Sequence, residues 1–269
     1  MILDRILRQK KIEVEQRKVA APIEELRAIA KDAPTPLDFA GALVRNEAGL
    51  PAVIAEVKKA SPSKGIIRPD FDPAAIALAY EAARAAAISV LTDEEFFQGS
   101  LDYLKLVKST VALPVLRKDF IIDEYQLVEA RAARADAILL IVAALERDAL
   151  GRLMDHAGEI GLQCLVEVHD EPEMDAALAV GARLIGINNR NLYTFEVSLD
   201  TTARLMRHKD RSGAGMPQTN INAKYVSESG ISIREDMILL GAMGVDAVLI
   251  GEALMRERDI EAKLRGLIS

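Results

Sequence analysis

Short runs of apolar and β-branched residues recur along the chain, each followed by a polar turn and then a stretch rich in Ala, Leu, Glu and Arg. The runs cover residues 52–57, 87–91, 113–116, 137–141, 164–168, 184–187, 224–227 and 247–250. They are continuous rather than alternating, which marks strands buried on both faces, as in a parallel sheet. Strand, helix, strand order with short loops implies parallel pairing through right-handed crossovers. Eight such units favour closure. The expected fold class is therefore α/β, a (β/α)8 barrel of the TIM type. A doubly wound open sheet is the alternative. It calls for a glycine-rich nucleotide loop after the first strand, and the segment there is Lys58-Lys-Ala-Ser-Pro-Ser-Lys-Gly65, which is not GxGxxG.

Residues 1–50 precede the first strand. Ile2, Leu3, Ile6 and Leu7 form an apolar stripe at helical spacing, so an amphipathic helix is expected there. Pro34 and Pro36 break the chain, and residues 37–44 read as a second helix. These elements are expected to cap one barrel domain spanning 1–269 rather than form a domain of their own. Residues 214–223 read as a loop before the seventh strand.

A chain of 269 residues matches the roughly 250 that one such barrel needs, and it can bury its core without disulfides or metal. The net charge of −7 argues against nucleic acid as a partner, since such binding needs clustered basic residues. It leaves open a small anionic substrate. The single cysteine, Cys164, begins a strand and reads as a packed thiol in a reducing compartment. The charged N-terminus has no signal-peptide pattern, and the longest apolar run, 137–145, is too short to cross a bilayer. A cytoplasmic protein without a membrane partner is expected.

Active sites of such barrels lie at the C-terminal ends of the strands, and polar residues gather there. Glu56 and Lys58 end the first strand two residues apart, so both point inward. The third strand ends in Arg117-Lys118-Asp119, the fifth carries Glu167 within an apolar run, the sixth ends in Asn188-Asn189-Arg190, and the seventh in Ser227-Glu228-Ser229-Gly230. A structural ion-pair network would explain any one of them. Charges at five strand ends together point to chemistry, because charge at a barrel centre is costly unless paired or used. Ser229-Gly230 and Gly251-Glu252, after the last two strands, suit phosphate binding through backbone N–H groups. No His, Cys and carboxylate spacing calls for a metal. His169 is the only histidine near a strand end. Phe96 and Phe97 are either a core plug or a lid against an aromatic substrate.

The segments Ile54-Ala-Glu-Val-Lys-Lys-Ala-Ser-Pro-Ser63, Ser89-Val-Leu-Thr-Asp93, Leu116-Arg-Lys-Asp-Phe120, Leu165-Val-Glu-Val168, Gly186-Ile-Asn-Asn-Arg-Asn-Leu192, Val226-Ser-Glu-Ser-Gly-Ile231 and Leu249-Ile-Gly-Glu-Ala-Leu-Met255 resemble the indole-3-glycerol phosphate synthases, in order and over nearly the whole chain. The resemblance implies a carboxy-lyase of tryptophan biosynthesis that needs no cofactor. Its substrate is the phosphorylated, anthranilate-derived 1-(2-carboxyphenylamino)-1-deoxyribulose 5-phosphate. By the same resemblance Lys118 is the general acid of ring closure and Glu167 the general base. Glu56 and Lys58 serve dehydration and positioning, and Asn188, Arg190 and Glu228 ring the substrate. Ser61 and Arg190 hold the anthranilate carboxylate. Ser229, Gly230, Gly251 and Glu252 form the phosphate loops, and the N-terminal helix covers the mouth.

Two rival readings are a lysine Schiff-base aldolase and a non-catalytic barrel that senses a sugar phosphate. The chain departs from the family's pattern at Arg84 and Arg134, where glycine is frequent, at Ser198, where aspartate is frequent, and around 216–223. At the helix-to-strand junctions Val180-Gly181 and Met243-Gly244, glycine suits the left-handed residue that ends a helix. The equivalent junctions place Arg84 and Arg134 there, so both are expected at positive φ, exposed at the N-terminal rim.

Overall fold

The computed structural model describes residues 2–192, 194–212 and 223–269. Eight parallel strands close a barrel: β1 (Ala52–Val57), β2 (Ala87–Leu91), β3 (Val115–Lys118), β4 (Ala137–Ile141), β5 (Gln163–Val168), β6 (Leu184–Asn188), β7 (Lys224–Glu228) and β8 (Ala247–Ile250). Each strand pairs with its sequence neighbour, and β1 pairs with both β2 and β8. The expected barrel is the observed one. The third strand lies two residues later than its apolar run suggested, because Pro114 has no N–H for the ladder and serves only through its carbonyl, which accepts from Ile88 N.

Alternation along the strands builds two cores. One face packs Val53, Val90, Val115, Leu140, Val166, Ile187 and Val248 against the surrounding helices. The other fills the barrel with Ile54, Ala87, Leu116, Leu139, Leu165, Val226 and Leu249. The inward parity continues towards the C-terminal ends, where Leu116 is followed two residues on by Lys118, Leu165 by Glu167, Val226 by Glu228, and Ile54 by Glu56 and Lys58. The same period that fills the barrel therefore points these polar side chains into its mouth.

The N-terminal segment differs from expectation in its divisions. Helix α1 (Ile2–Ala20) is followed by a second long helix, α2 (Ile23–Asp32), which starts just after Pro22. The helix expected over 37–44 is the short α3 (Phe39–Ala42), capped by the Asp38 carboxylate accepting from Gly41 N. Phe39 and Leu43 are fully buried against the barrel-filling side chains, and Lys224 Nζ donates to the Ala40 and Leu43 carbonyls at 2.7 and 2.8 Å. So α3 seals the N-terminal end, while α1 lies across the opposite mouth, where Ile2, Leu3 and Ile6 help to line the cavity.

Helix α1 is fixed by charge as much as by its apolar stripe. Lys10, buried, reaches Asp93 at 2.9 Å and Asp119 at 2.8 Å, and Arg17 reaches Glu129 at 3.1 Å. Tyr125 Oη donates to the carbonyls of Arg17 and Ala21, at 2.9 Å each.

Arg84 and Arg134 have φ of 66° and 69° and exposed side chains, as expected. Gly161, Gly181 and Gly244 occupy the same conformation at equivalent junctions, with φ of 81°, 80° and 87°. In each case the next N–H bonds back to a carbonyl five residues earlier, as Ala135 N does to Ala130 O at 3.0 Å and Ala182 N to Ala177 O at 3.1 Å, which is the Schellman closure. The fold demands this geometry whichever residue stands there. Residues 214–222 of the loop expected before β7 lie outside the described residues.

Candidate active site

At the C-terminal mouth lies a cavity of about 470 Å3, walled by Glu56, Lys58, Lys118, Glu167, Asn188, Arg190, Glu228, Ser229, Gly230, Gly251 and Glu252. Eleven residues picked out from strand ends thus meet in one place. Ser61 is the exception. It sits in a two-residue strand paired with Gly65, and this loop meets the cavity through its tip residues Pro62, Ser63 and Lys64.

Lys118 stands at the centre. Its Nζ donates to Glu167 Oε2 at 2.8 Å and to Glu228 Oε2 at 3.0 Å. Burial works against the ammonium, but Glu167, Glu228 and Glu56 outweigh it and hold Lys118 above its ordinary pKa. Burial likewise opposes ionisation of Glu167, yet Lys118 and His169 pull that carboxyl well below its usual range. Glu228 goes the other way. Burial and the neighbouring Glu167 and Glu56 charges outweigh Lys118 and push it up to about 7. One lysine between two carboxylates satisfies the first fully and the second only in part. The cluster thus favours the cation at Lys118 and the anion at Glu167, and opposes ionisation of Glu228.

Across the mouth, Lys58 Nζ pairs with Glu56 Oε2 at 2.5 Å. Asn188 Nδ2 donates to Glu167 Oε1 at 3.1 Å, while its Oδ1 accepts from Ser229 Oγ at 2.9 Å. Asn189, pointing the other way, donates to Ser227 Oγ and the Ser229 carbonyl at 2.9 and 3.0 Å. The β6 and β7 ends are thereby tied together. Ser229 and Gly230 both have positive φ, 68° and 83°, so the loop after β7 turns sharply, and both residues line the cavity.

Two glycines hold space for carboxylates. A Cβ on Gly186 would overlap Glu228 Oε1, and one on Gly251 would overlap Glu56 Oε2 and crowd Lys58 Nζ. Sequence reasoning missed Gly186, although a glycine inside a strand signals close approach. It names Phe97 as a lid residue but misses the rest of the apolar wall, to which Leu91, Phe120, Leu139, Ile141 and Leu249 contribute. Phe97 and Phe120 pack against each other, centroids 6.2 Å apart and tilted by 37°, and together form an aromatic patch of the cavity wall. Phe96 instead lies under the Arg5 guanidinium, 5.5 Å from its ring centroid. Neither Phe96 nor Phe97 is a fully buried plug. Cys164 is unpaired, and burial pushes its thiol up to about 12, so it is inert packing.

A parallel barrel with a buried cluster of lysines and carboxylates and an aromatic patch at its C-terminal mouth has the architecture of a TIM-barrel enzyme. The family model for indole-3-glycerol phosphate synthase matches residues 3–267. A protein of that name from Roseiflexus castenholzii is 50% identical over 99% of this chain and 97% of its own length. Another from Laribacter hongkongensis is 50% identical over 100% and 99%. The chain belongs to the indole-3-glycerol phosphate synthase family, the decarboxylating lyases that make indole-3-glycerol phosphate in tryptophan biosynthesis. In fold alone it is also similar to the tryptophan synthase A-subunit from Pyrococcus furiosus, at 17% identity with a TM-score of 0.59, covering 81% of this chain and 97% of that one. Among the described residues, no helix is long and apolar enough to cross a membrane.

Proposed function

We propose that the Lys118–Glu167–Glu228 cluster and the Glu56–Lys58 pair divide the acid–base work of the synthase reaction on 1-(2-carboxyphenylamino)-1-deoxyribulose 5-phosphate. The aromatic carbon bearing the carboxylate attacks the ketone, whose oxygen must gain a proton. CO2 then leaves, the new hydroxyl departs as water, and a proton is removed to give the indole. The sequence needs an acid twice and a base once. Lys118, held protonated at the centre, serves ring closure. Glu167 takes the final proton. Lys58, backed by Glu56, protonates the departing hydroxyl, and Glu228 returns the proton to Lys118.

The observation that carries this reading is the placement of Lys118 Nζ between two buried carboxylates. It also disfavours a Schiff-base role, which needs an amine with a lowered pKa, whereas this one is raised. Pure sugar-phosphate binding gives no reason to bury Glu167 beneath it. We assign the aromatic ring to the wall formed by Phe97 and Phe120, its carboxylate to Arg190, and the phosphate to the backbone of Ser229, Gly230, Gly251 and Glu252. Residues 1–269, with α1–α3, act as one domain in the cytoplasm, a location in keeping with relatives that are biosynthetic enzymes.

The test is turnover of Lys118→Ala and Glu167→Gln, read by the fluorescence of the indole product, which a chain with no tryptophan does not obscure. Each variant loses about 10²–10⁴-fold in kcat with its fold retained. Near-normal turnover in either overturns the assignment.

A further inference from the structure

His169 follows β5 and stands directly behind the Glu167 carboxylate. Its Nδ1 lies 3.0 Å from Glu173 Oε2, and the same oxygen accepts from the His169 backbone N at 2.8 Å. Glu173 itself is seated in the first turn of helix Glu171–Ala179, its N–H bonded to Asp170 Oδ1 at 2.9 Å. The ring is thereby clamped from one side. On the other, Nε2 is buried and 3.3 Å from Glu167 Oε1, yet it forms no hydrogen bond. It faces the carboxylate obliquely, as an ion pair rather than a directed donor. Glu167 meanwhile takes its directed bonds from Lys118 and Asn188.

This arrangement answers a difficulty in the proposed mechanism. Lys118 must turn from the carboxylates to the substrate if it is to protonate a ketone oxygen. Glu167 then loses its nearest cation while still buried, and an unpaired buried carboxylate gains a proton. A base that becomes protonated before its step is lost to the reaction.

We propose that His169 is a positioning residue for Glu167: clamped by Glu173, its imidazolium keeps the carboxylate ionised and in place when Lys118 turns to the substrate. This rests on the reading of Glu167 as the base. The charged and titratable groups around the pair are Lys118 from β3, Glu56 and Lys58 from β1, Glu228 from β7, and Glu171 and Glu173 from the following helix. Arg204 Nη2 also reaches the His169 carbonyl at 3.4 Å. Burial alone would discharge the ring, but Glu167 and Glu173 outweigh it and push its pKa up to about 10. A group raised in this way stays cationic through neutral pH and is lost as pH rises through that value, so the cation is present where the enzyme works.

Two measurements on the whole protein test this. The first is long-range ¹H–¹⁵N NMR of the three imidazoles, assigned with His156→Gln and His208→Gln. The expected result is a His169 ring doubly protonated at pH 7.5, with its pKa falling in both Glu167→Gln and Glu173→Gln. A neutral ring at pH 7.5, or one indifferent to Glu167→Gln, overturns the proposal whether or not Glu167 is catalytic.

The second is the pH profile of kcat in His169→Gln. The acid limb is expected to move up by about one pH unit, giving about a tenfold loss below the limb that is regained at higher pH, with KM little changed. Glu173→Gln should move it the same way by less, and decides the matter if His169→Gln does not fold. A loss equal at every pH marks a merely structural residue, and an unmoved profile marks no role; either overturns the proposal. Glu167→Gln distinguishes the two claims. If it turns over normally, the reading of the base has failed. If it is inactive while the His169 variants keep the wild-type profile, only the role of His169 has.

Discussion

Lys10 of α1 and Asp119 of the β3 end form a buried ion pair, Nζ to Oδ1 at 2.8 Å, one residue beyond Lys118. Asp119 also accepts from Thr92 Oγ1 at 2.6 Å and Arg117 Nη2 at 3.0 Å, and Lys10 reaches Asp93 as well. The helix that covers the mouth is thereby anchored to the strand that carries the proposed acid.

Removing Lys10 leaves Asp93 and Asp119 buried without their shared cation, and stranding a buried charge costs about 3–5 kcal/mol. Lys10→Met should destabilise by that order in a denaturant titration, and Lys10→Met with Asp119→Asn by less than the two single changes added. Burial raises the Asp119 pKa but Lys10 and Arg117 more than offset it, so the carboxyl is lowered. Its contribution is complete above the unfolded pKa of about 4 and is lost as pH falls towards the lowered value. Additive single and double changes, or an acid-side loss of stability unaltered in Asp119→Asn, contradict this coupling.

Arg84 and Arg134 stand in the left-handed conformation at φ 66° and 69°, which costs a non-glycine residue about 1 kcal/mol. Glycine removes that strain but gives some of it back as unfolded-chain entropy. Arg134 also repels Arg131, whose pKa is lowered first by burial, with Asp136 opposing the shift and Arg134 adding to it. Arg134→Gly should therefore be neutral to about 1 kcal/mol stabilising, with kcat and KM unchanged. A clear drop in Tm would show that the arginine makes contacts the structure does not contain.

Gly186 faces Glu167 in the register of β5 and β6 and leaves room for the Glu228 carboxylate. In Gly186→Ala the new methyl displaces Glu228 from Lys118. The expected outcome is a loss of about tenfold or more in kcat for about 1–3 kcal/mol of stability. Unchanged kcat in a folded variant means that the Lys118–Glu228 contact is dispensable.

The phosphate assignment predicts competitive inhibition by inorganic phosphate. Gly230 has φ +83°, and a Cβ there would stand 2.6 Å from Val197 Cγ1. Gly230→Ala must shift the loop, raising both the phosphate inhibition constant and KM by roughly tenfold, the worth of one or two hydrogen bonds. Inhibition that is non-competitive, or insensitive to this change, moves the phosphate elsewhere.

The barrel and most of its mouth were legible in the sequence because both follow the two-residue period. Once Leu116 and Leu165 point inward, Lys118 and Glu167 must do so too. What escaped is whatever depends on a partner distant in the chain. Lys10 continues the buried stripe of α1, but a lysine on an apolar face gives no sign of the two aspartates it will meet. Gly186 is needed chiefly because of Glu228, on the next strand. Pro22 marks the break between α1 and α2, which the apolar pattern of residues 1–50 does not show. The phosphate loops were visible as glycines, whereas the positive φ of Ser229 depends on Asn188 and Asn189 holding it.

The division of labour between Lys118 and Glu167 is tested most directly by rapid-quench single turnover with substrate labelled in its carboxylate, counting CO2 and indole product separately. Ring closure and loss of CO2 precede the final deprotonation. Glu167→Gln is therefore predicted to release close to one CO2 per site while forming little indole, and Lys118→Ala to release neither at an appreciable rate. Equal loss of CO2 and indole in Glu167→Gln, or prompt CO2 release in Lys118→Ala, would contradict the assignment.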